Sequence, residues 1–295
     1  MSRILITGTN SFVGSNFLRY SRFREVDEIS LIDNDPSDIN YERYDTIIHL
    51  VAIVHQTIKI SEMEYFRVNR DLCVEVARNA KKAGVKQFVF LSTVKVYGNF
   101  IKGHSYWNEK SPCFPDDAYG KSKYAAELAL KELNDDKFTV SIIRTPLVYG
   151  EGVKANMLNL LKLISRFDYL PFKDINNRRC FTSSENLVAF IDRIIEKRAS
   201  GIFIAMDKEA ISTSVLLKIL SEYLGKKIVL FKVPRILIKT GKLIFPGIFD
   251  RLYGSYEMDN SETLKILDFE PPLSTREGLK KMVDAYTQNS QNNIK

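Results

Sequence analysis

The segment that most constrains the fold lies at the start of the chain. Arg3–Thr7 is a short run rich in β-branched residues, which predicts a strand, and Phe12–Tyr20 has the apolar spacing of a helix. Gly8 permits a tight turn between them, and Gly14 lets the helix pack closely against the strand, so the helix N-terminus can face a phosphate. Such a strand–turn–helix is typical of a dinucleotide-binding parallel sheet. The turn reads Thr7-Gly8-Thr9-Asn10-Ser11-Phe12-Val13-Gly14.

Strand and helix patterns then alternate through the first half of the chain. This alternation predicts an α/β fold with a Rossmann-type, doubly wound parallel sheet. Residues 34–45 are too few for another helix and strand, so we expect the outer edge of the sheet to be trimmed. The predicted strands are Arg3–Thr7, Glu28–Ile32, Thr46–Leu50, Lys86–Leu91 and Phe138–Arg144, and the predicted helices are Phe12–Tyr20, Val68–Ala83 and Tyr119–Leu133.

The pattern becomes less regular after Gly150. No Pro- or Gly-rich linker interrupts the chain, so a second domain has to be interleaved with the first. Helices are predicted at Met157–Phe167, Ser184–Lys197 and Ser212–Leu224, a loop at Leu170–Asn177, and a strand at Gly201–Met206. We expect a dinucleotide-binding domain at 1–150 to which 182–206 returns, a smaller substrate-binding domain at 151–181 and 207–285, and a flexible polar tail at 286–295.

Composition excludes several classes of protein. With 295 residues, 45% hydrophobic and 27% charged, the chain is neither disordered, collagen-like nor a small disulfide scaffold. No apolar run approaches the ~20 residues that span a bilayer, and the chain enters a strand at once, so we expect no secretory signal. The three cysteines are widely spaced, which favours a reducing cytoplasm and gives no zinc pattern. We therefore expect a cytoplasmic protein without a metal site.

The positive charge is concentrated in one segment. The net charge is +7, and residues 226–251 hold seven basic residues and one acid, Asp250. A nucleic-acid-binding protein would spread its basic residues more widely, so we expect no nucleic-acid partner. Within 233–249, Arg235, Lys239 and Lys242 recur at i, i+4 and i+7 among apolar residues. This pattern fits either a substrate-domain helix with a solvated face or a helix that contacts an anionic membrane, such as the inner membrane surface.

Two residues near the glycine-rich turn bear on the choice of dinucleotide. Asp33 follows the second predicted strand, where a carboxylate can bind both ribose hydroxyls and would repel a 2′-phosphate, which favours NAD over NADP. The alternative is an ordinary turn followed by an acidic loop residue. Ser11 stands where dinucleotide loops carry a middle glycine; its Cβ crowds the phosphates, although its hydroxyl can donate a hydrogen bond. Asp38 and Ile39 are expected near the adenine.

A tyrosine–lysine pair provides candidate catalytic residues. Tyr-x-x-x-Lys occurs at Tyr106/Lys110, Tyr119/Lys123, Tyr169/Lys173 and Tyr223/Lys227. Only Tyr119 and Lys123 open a predicted helix, where i and i+4 share a face. A phenol is a poor base near neutral pH, but a neighbouring ammonium and a positive nicotinamide favour the phenolate. Thr93 lies at the carboxyl end of a predicted strand and could hydrogen-bond the reacting oxygen.

Four motifs together resemble one family, the extended short-chain dehydrogenase/reductases. They are Thr7–Gly14, Ser92–Gly98, Tyr119/Lys123 and Arg144–Gly150. Within the family the chain resembles nucleotide-sugar 4-epimerases and 4-ketoreductases, and its segments 147–156, 176–179 and 253–259 are similar to the branch that acts on N-acetylhexosamines in bacterial surface polysaccharide assembly. The resemblance implies a homodimer formed through the helices at 68–83 and 119–133.

The resemblance also assigns roles to individual residues. Asn69 matches a structural asparagine, although it could be an ordinary polar helix residue, and Arg179 could be a surface charge. The implied catalytic residues are Thr93, Tyr119 as base and Lys123 as its partner. The implied cofactor-binding residues are Gly8, Asn10, Ser11, Phe12, Val13, Gly14, Asp33, Asp38, Ile39, Leu50, Val51, Ala52, Ser92, Tyr119 and Lys123. The implied substrate-binding residues are Thr93, Lys95, Asn156, Arg179 and Ser255.

The resemblance implies a reaction at C4 of a sugar. We expect NAD-dependent epimerisation, through a 4-keto intermediate, of a hexose of the UDP-glucose or UDP-GlcNAc type, carried on a nucleotide or polyprenyl diphosphate. The first alternative is an NAD(P)H-dependent reductase of a UDP-4-keto-6-deoxy-hexose, and the second is a non-catalytic dinucleotide-binding module. The family's 4,6-dehydratases need an Asp-Glu pair after the catalytic threonine, and here Val94 and Lys95 occupy those positions. Val51 and Leu147 also depart from the family pattern.

Overall fold

Six parallel strands form the central sheet of the computed structural model, which describes residues 2–54, 60–98, 106–244, 249 and 252–292. The strands in these described ranges, in order, are β1 (Ile4–Thr7), β2 (Val26–Ile29), β3 (Thr46–His49), β4 (Gln87–Thr93), β5 (Thr139–Thr145), β6 (Leu147–Tyr149), β7 (Tyr169–Leu170), β8 (Phe181–Ser183), β9 (Gly201–Ile204) and β10 (Val229–Leu230). The central sheet has the order β2-β1-β3-β4-β5-β9, and the remaining strands form the pairs β10-β7 and β6-β8.

The helices cover both faces of this sheet. They are α1 (Phe12–Tyr20), α2 (Glu62–Phe66), α3 (Cys73–Lys82), α4 (Ala118–Lys131), α5 (Ala155–Arg166), α6 (Ser184–Lys197), α7 (Thr213–Tyr223), α8 (Arg235–Ile244), α9 (Ser261–Leu267) and α10 (Thr275–Asn292). A π-helical turn at Arg67–Leu72 joins α2 to α3. Phe17 of α1 and Phe190 of α6 pack on one face of the sheet, and Ala77 of α3 and Ala126 of α4 pack on the other. The doubly wound α/β prediction is confirmed.

Local sequence explains where several elements begin. All four residues of β1 are buried, as expected for a strand of a parallel sheet that is covered on both faces. Helix α4 begins after Asp117, whose carboxylate accepts a hydrogen bond from the backbone N–H of Gly120 at 2.6 Å. Ser212 caps α7 in the same way, through the N–H of Val215 at 3.2 Å. These caps satisfy backbone donors that the first helical turn leaves unpaired.

The second strand differs from its prediction, and this difference affects the site. Strand β2 spans Val26–Ile29, not Glu28–Ile32, because β1 ends at Thr7 and offers Ile29 as the last position with a partner. Asp33 therefore lies in an exposed turn four positions after the strand, not at its end. Residues 34–45 form only two short 3₁₀ turns, so β2 is the edge strand and the expected trimming of the sheet is confirmed.

A separate apolar core lies in the second half of the chain. Its members include Leu161 of α5, Leu217 of α7 and Leu279 of α10. Strand β9 pairs with β5 of the central sheet, which supports the proposed return of 182–206 to the first domain. Helix α10 continues into the predicted flexible tail at 286–295 as far as Asn292, and Tyr286 packs against this core; the flexibility of the tail stays a prediction. Residues 293–295, and 245–248 of the basic segment, lie outside the described residues.

Candidate active site

The glycine-rich turn forms a cradle that a side chain would fill. Gly8 has φ +109°, and a Cβ built on it would lie 3.2 Å from Cγ2 of Val51. Asn10 also has a positive φ of 55°, which asparagine tolerates better than most residues. A ligand bound at this turn can therefore come close to its backbone. Phe12 and Val13, also predicted cofactor neighbours, are the first two residues of α1.

Ser11, the substitute for the middle glycine, caps α1. Its hydroxyl accepts a hydrogen bond from the backbone N–H of Gly14 at 2.9 Å. A Cβ on Gly14 would meet this hydroxyl at 2.7 Å and a carboxylate oxygen of Glu28 at 3.0 Å, so the glycine is required for the close packing. The cap occupies one of the N–H groups at the helix N-terminus. The cradle over Gly8 and the remaining N–H groups of α1 still fit a dinucleotide pyrophosphate.

The segment after β3 adjoins the cradle through Leu50 and Val51; contact of Leu50, Val51 and Ala52 with a cofactor stays a prediction. The backbone N–H of Leu50 donates to the carbonyl of Thr7 at 3.1 Å, and Val51 contacts Gly8. Asp38 and Ile39, which were predicted near the adenine, are not fully buried. Asp38 is exposed, and Ile39 packs partly against the core beneath α3.

A histidine below the cradle was not singled out by the sequence analysis. His49 is buried at the end of β3, where its Nδ1 lies 2.8 Å from the hydroxyl of Thr7. Its Nε2 has no hydrogen-bond partner in the part of the chain that the structure describes. Burial, together with the charge of Lys123, lowers the pKa of His49 to about 3. The imidazole is therefore neutral at physiological pH.

The structure brings the three predicted catalytic residues together. Thr93 is the last residue of β4, and Tyr119 and Lys123 lie one turn apart in α4. The phenol of Tyr119 and the hydroxyl of Thr93 are hydrogen-bonding partners. The buried ammonium of Lys123 donates to the carbonyl of Leu91 at 2.9 Å and lies 4.4 Å from the ring centroid of Phe90. The hydroxyl pair thus lies at the carboxyl edge of the sheet, beside the cradle.

Burial alters the acidity of the tyrosine and the lysine in opposite directions. It raises the pKa of Tyr119 to about 12, a rise opposed by the hydrogen bond with Thr93 and increased by the negative charge of Asp117. It lowers the pKa of Lys123 to about 8, because a buried ammonium loses its hydration. In this structure the phenol is therefore neutral near pH 7. Stabilisation of the Tyr119 phenolate by Lys123 stays a prediction for the cofactor-bound state.

A second layer of buried polar groups supports the catalytic segment from beneath. The Ser92 hydroxyl donates to Oε1 of Glu127 at 2.5 Å, and Nη2 of Arg144 donates to Oε2 of the same carboxylate at 2.5 Å. The guanidinium also lies 4.8 Å from the ring centroid of Tyr97. The Ser92 side chain is thus engaged below the sheet edge, so a contact with a cofactor would have to come from its backbone. The sequence analysis missed Glu127, which lies inside α4 without a motif.

Asn69 joins two parts of the site, which agrees with its expected structural role. Its Oδ1 accepts from the N–H of Ile53 at 2.7 Å, and its Nδ2 donates to the carbonyl of Ile53 at 3.0 Å. The same Nδ2 donates to the hydroxyl of Ser122 at 3.0 Å, and that hydroxyl donates to the carbonyl of Tyr119 at 2.9 Å. The loop after β3 is therefore fixed to the first turn of α4.

Lys95 faces the opening of the site. Its ammonium forms an ion pair with Asp117, the residue that caps α4 two positions before Tyr119. The Lys95 side chain is 43% exposed, so it can also reach a ligand in the opening. The pair places a positive charge beside the acid that raises the pKa of the tyrosine.

The second half of the chain supplies the opposite wall. The Tyr256 hydroxyl donates to the carbonyls of Val94 and Gly98, at 2.8 and 3.0 Å. Arg179 lies beside it, with Nη1 donating to the Gly254 carbonyl at 3.1 Å. The hydroxyl of Ser255 accepts from the backbone N–H of Arg178 at 3.1 Å. Arg179 and Ser255 thus flank Tyr256, which contacts the catalytic segment; substrate binding by either residue stays a prediction.

Asn156 is the predicted substrate residue that the structure does not tie to the others. It lies exposed in the first turn of α5, and no contact among the described residues joins its side chain to Thr93 or Tyr119. The His, Cys, Asp and Glu side chains among the described residues form no group of three or more that could hold a metal ion.

Comparison with known families agrees with this arrangement. The model of the NAD dependent epimerase/dehydratase family matches residues 4–204, which include the cradle and all three candidate catalytic residues. The chain belongs to this family. The family's cofactor is NAD, and the cradle at Gly8 and the N-terminus of α1 are the features of this chain that fit it.

Similar proteins include sugar epimerases. A UDP-glucose 4-epimerase of Vibrio cholerae is 33% identical over 97% of this chain and 95% of that protein. An N-acetyl-alpha-D-glucosaminyl-diphospho-ditrans,octacis-undecaprenol 4-epimerase of Escherichia coli O157:H7 is 26% identical over 78% of this chain and 75% of that protein. Among solved structures, UDP-glucuronic acid 4-epimerase from Bacillus cereus in complex with NAD superposes with a TM-score of 0.75 at 18% identity, covering 97% of this chain and 99% of that one. The last likeness concerns the fold alone.

Proposed function

We propose that the protein catalyses NAD-dependent epimerisation at C4 of a hexose linked to a diphosphate. The observation that carries the proposal is the hydrogen-bonded pair of Thr93 and Tyr119 at the carboxyl end of β4, beside the Gly8 cradle. The similarity to the Vibrio cholerae UDP-glucose 4-epimerase supports a UDP-hexose as substrate. The undecaprenol-linked sugar named for the Escherichia coli relative supports a polyprenyl diphosphate as the other carrier.

In the proposed reaction each residue acts on the sugar through a stated atom. The Tyr119 oxygen removes the proton of the 4-hydroxyl, and the Thr93 hydroxyl orients the same oxygen. NAD, held by the Gly8 turn and the N-terminus of α1, would supply hydride transfer from C4 and back to it, with the 4-keto sugar turned over between the two transfers. The ammonium of Lys123, buried behind the tyrosine, favours the phenolate. Arg179 and Lys95 bind the diphosphate, for which a guanidinium is well suited.

A second candidate is the one-way reductase of a 4-keto sugar, and two observations favour it. The Ser11 cap occupies the Gly14 N–H, which weakens the phosphate cradle. Asp33 lies four positions beyond β2, so a carboxylate at the strand's end does not oppose a 2′-phosphate. A weaker cradle suits a cofactor that exchanges at every turnover, as a reductase requires, and the place of Asp33 allows that cofactor to be NADPH. The non-catalytic module is disfavoured, because Thr93, Tyr119 and Lys123 are all retained and placed together.

The nucleotide carried by the purified protein separates the two reactions. Denaturation that releases stoichiometric NAD supports epimerisation, in which the cofactor is recycled in place. Protein that is purified without nucleotide and oxidises added NADH or NADPH with a UDP-4-keto-6-deoxy-hexose supports the reductase. Interconversion of UDP-GlcNAc and UDP-GalNAc without added cofactor is the expected result, and its absence together with NADPH oxidation would overturn the epimerase proposal.

Tyr119→Phe tests the chemical step. Removing the phenolic oxygen should lower turnover about 1,000-fold, a typical contribution of general acid–base catalysis, and leave the Kd for NADH unchanged. Tyr106→Phe is a matched control, because Tyr106 has the same Tyr-x-x-x-Lys spacing but is 46% exposed outside α4. Wild-type turnover in the Tyr119 variant would remove this residue from the mechanism.

Assembly and location are part of the same proposal. We propose a homodimer through the helices around 68–83 and 119–133, which light scattering of the purified protein would detect. The three free thiols support a cytoplasmic location, because disulfides are rare in a reducing compartment. None of the helices in the described ranges is both long and apolar enough to cross a membrane.

A further inference from the structure

Helix α8 exposes large aliphatic side chains on one face. Ile236 is 73% exposed, Leu237 58%, Leu243 84% and Ile244 63%. At about 100° per residue, these four positions fall within an arc of about 120°. We call them the apolar face of α8. Single exposed apolar residues are common on soluble proteins, but four on one helical face form a patch that calls for a partner.

The helix is held to the protein by a different side. Gly241, which lies outside the apolar face, is in close contact with the ring of Phe249. That ring stacks on Tyr253 with centroids 5.5 Å apart, and Tyr253 packs against the core of α5, α7 and α10. The apolar face is therefore left open by the contacts that anchor the helix. Val229 and Phe231, shortly before α8, add 53% and 45% exposed apolar side chains.

The segment that contains this helix carries mostly positive charge. Residues 226–251 carry seven basic residues and one acidic residue. The positions of Arg235, Lys239 and Lys242 fall within a separate arc of about 60° on the helix. Helix α8 thus combines an open aliphatic face with a basic face, the pattern of helices that lie in a membrane interface.

We propose that α8 docks on an anionic lipid membrane, with the apolar face at the boundary between headgroups and acyl chains. An anionic surface complements the excess of basic residues, and aliphatic side chains gain most from contact with acyl chains. The four exposed side chains of the apolar face are aliphatic, whereas protein interfaces are enriched in aromatic residues and depleted of lysine. Docking in this manner needs no spanning segment.

The docking surface is connected to the wall of the active site. Nδ2 of Asn177 holds the carbonyls of Leu252 and Gly254, at 3.2 and 3.0 Å, just after α8. Arg179 and Tyr256 continue this wall to the catalytic segment. If the protein has the proposed function, its active site opens close to a membrane surface, within reach of a sugar diphosphate carried by a lipid.

Flotation with lipid vesicles tests the docking. The wild-type protein should float with phosphatidylcholine vesicles that contain phosphatidylglycerol, and about tenfold less with phosphatidylcholine alone. Changing Leu243→Ser and Ile244→Ser together should reduce flotation about tenfold or more, because two exposed side chains lose their apolar contact. Ile266→Ser is the matched control, since Ile266 of α9 is 50% exposed elsewhere and should float like wild type.

Other outcomes overturn the proposal in distinguishable ways. Equal flotation of the double variant and wild type, or no preference for the anionic vesicles, rejects docking by α8. A changed oligomeric state of the double variant with unchanged flotation means that the face covers a protein instead. Turnover of a UDP-hexose in solution is measured in parallel for the wild type and the double variant. If the wild type floats but does not turn over the sugar, the proposed function fails and the docking stands.

Discussion

The polar layer beneath the active site and the surface of α8 depart from the usual distribution of side chains in opposite ways. The layer, made of Ser92, Glu127 and Arg144, is a buried set of polar groups. The apolar face of α8 is an exposed set of aliphatic groups, with Leu243 84% accessible. Buried polar groups cost free energy unless they are hydrogen-bonded, and the hydrogen bonds of Glu127 with Ser92 and Arg144 fix the geometry of the layer, although Nη1 of Arg144 has no hydrogen-bond partner among the described residues. An exposed aliphatic face does not pack within the fold, so it is available to a partner outside the chain.

The largest expected effect comes from the buried layer. Glu127→Gln removes the negative charge that faces Arg144 and leaves a guanidinium buried without compensation. We expect the free energy of unfolding to fall by about 3–5 kcal/mol, as for other broken buried ion pairs. Urea unfolding measures this loss.

A surface ion pair serves as the control for this variant. Glu222→Gln breaks the exposed pair with Arg276, 3.7 Å apart, and should cost less than about 1 kcal/mol. Equal losses in the two variants would mean that burial does not make the Glu127–Arg144 pair more important for stability than a surface ion pair.

The pH dependence of stability should reveal His49. Its pKa is about 3 in the folded protein and about 6.5 in an unfolded chain, so the unfolded chain binds more protons between these values. The stabilisation is complete above about pH 6.5 and is lost as pH falls toward 3. Between pH 7 and pH 5 this group alone should remove about 2 kcal/mol. In His49→Asn, unfolding measured across the same range should lack that part of the slope; an unchanged slope would contradict the burial of a neutral imidazole.

Ser11→Gly tests the cap at the cofactor cradle. The change frees the Gly14 N–H and removes a Cβ, so the Kd for NADH should fall about fivefold, equivalent to one hydrogen bond of about 1 kcal/mol. Stability should drop by only a few tenths of a kcal/mol, because glycine is an acceptable cap. Ser15→Gly, one turn into α1 and exposed, should leave the Kd unchanged. Weaker NADH binding in the Ser11 variant would show that the serine hydroxyl helps to hold the phosphates.

The smallest effect on stability is expected on α8. Leu243→Ser should change the free energy of unfolding by less than about 0.5 kcal/mol, because the side chain is exposed in both the folded and unfolded states. Thermal unfolding without lipid measures this. A loss near that of Glu127→Gln would mean that Leu243 is packed within the protein, and would remove the contrast between the two regions.

The local features of the site were predictable, whereas one residue at its border was placed wrongly. The Gly8 turn and the spacing of Tyr119 and Lys123 depend on neighbouring residues, and both are found where the sequence indicates. Asp33 was expected at the end of β2, but the strand stops at Ile29 because its partner β1 ends at Thr7. Strand length depends on the neighbouring strand, which one segment's pattern does not contain.

The alternation of strands and helices, the turn at Gly8 and the Tyr119/Lys123 pair each follow from residues close together in the chain, so the sequence was enough to predict them. Which polar groups meet depends on how distant segments pack in the folded chain. The hydrogen bonds of Ser92 with Glu127 and of Asn69 with Ser122 join residues 35 and 53 positions apart. Many polar residues could serve as such partners, and only the packing of α4 on the sheet selects among them. The open face of α8 was likewise decided by which side of the helix the protein core left uncovered.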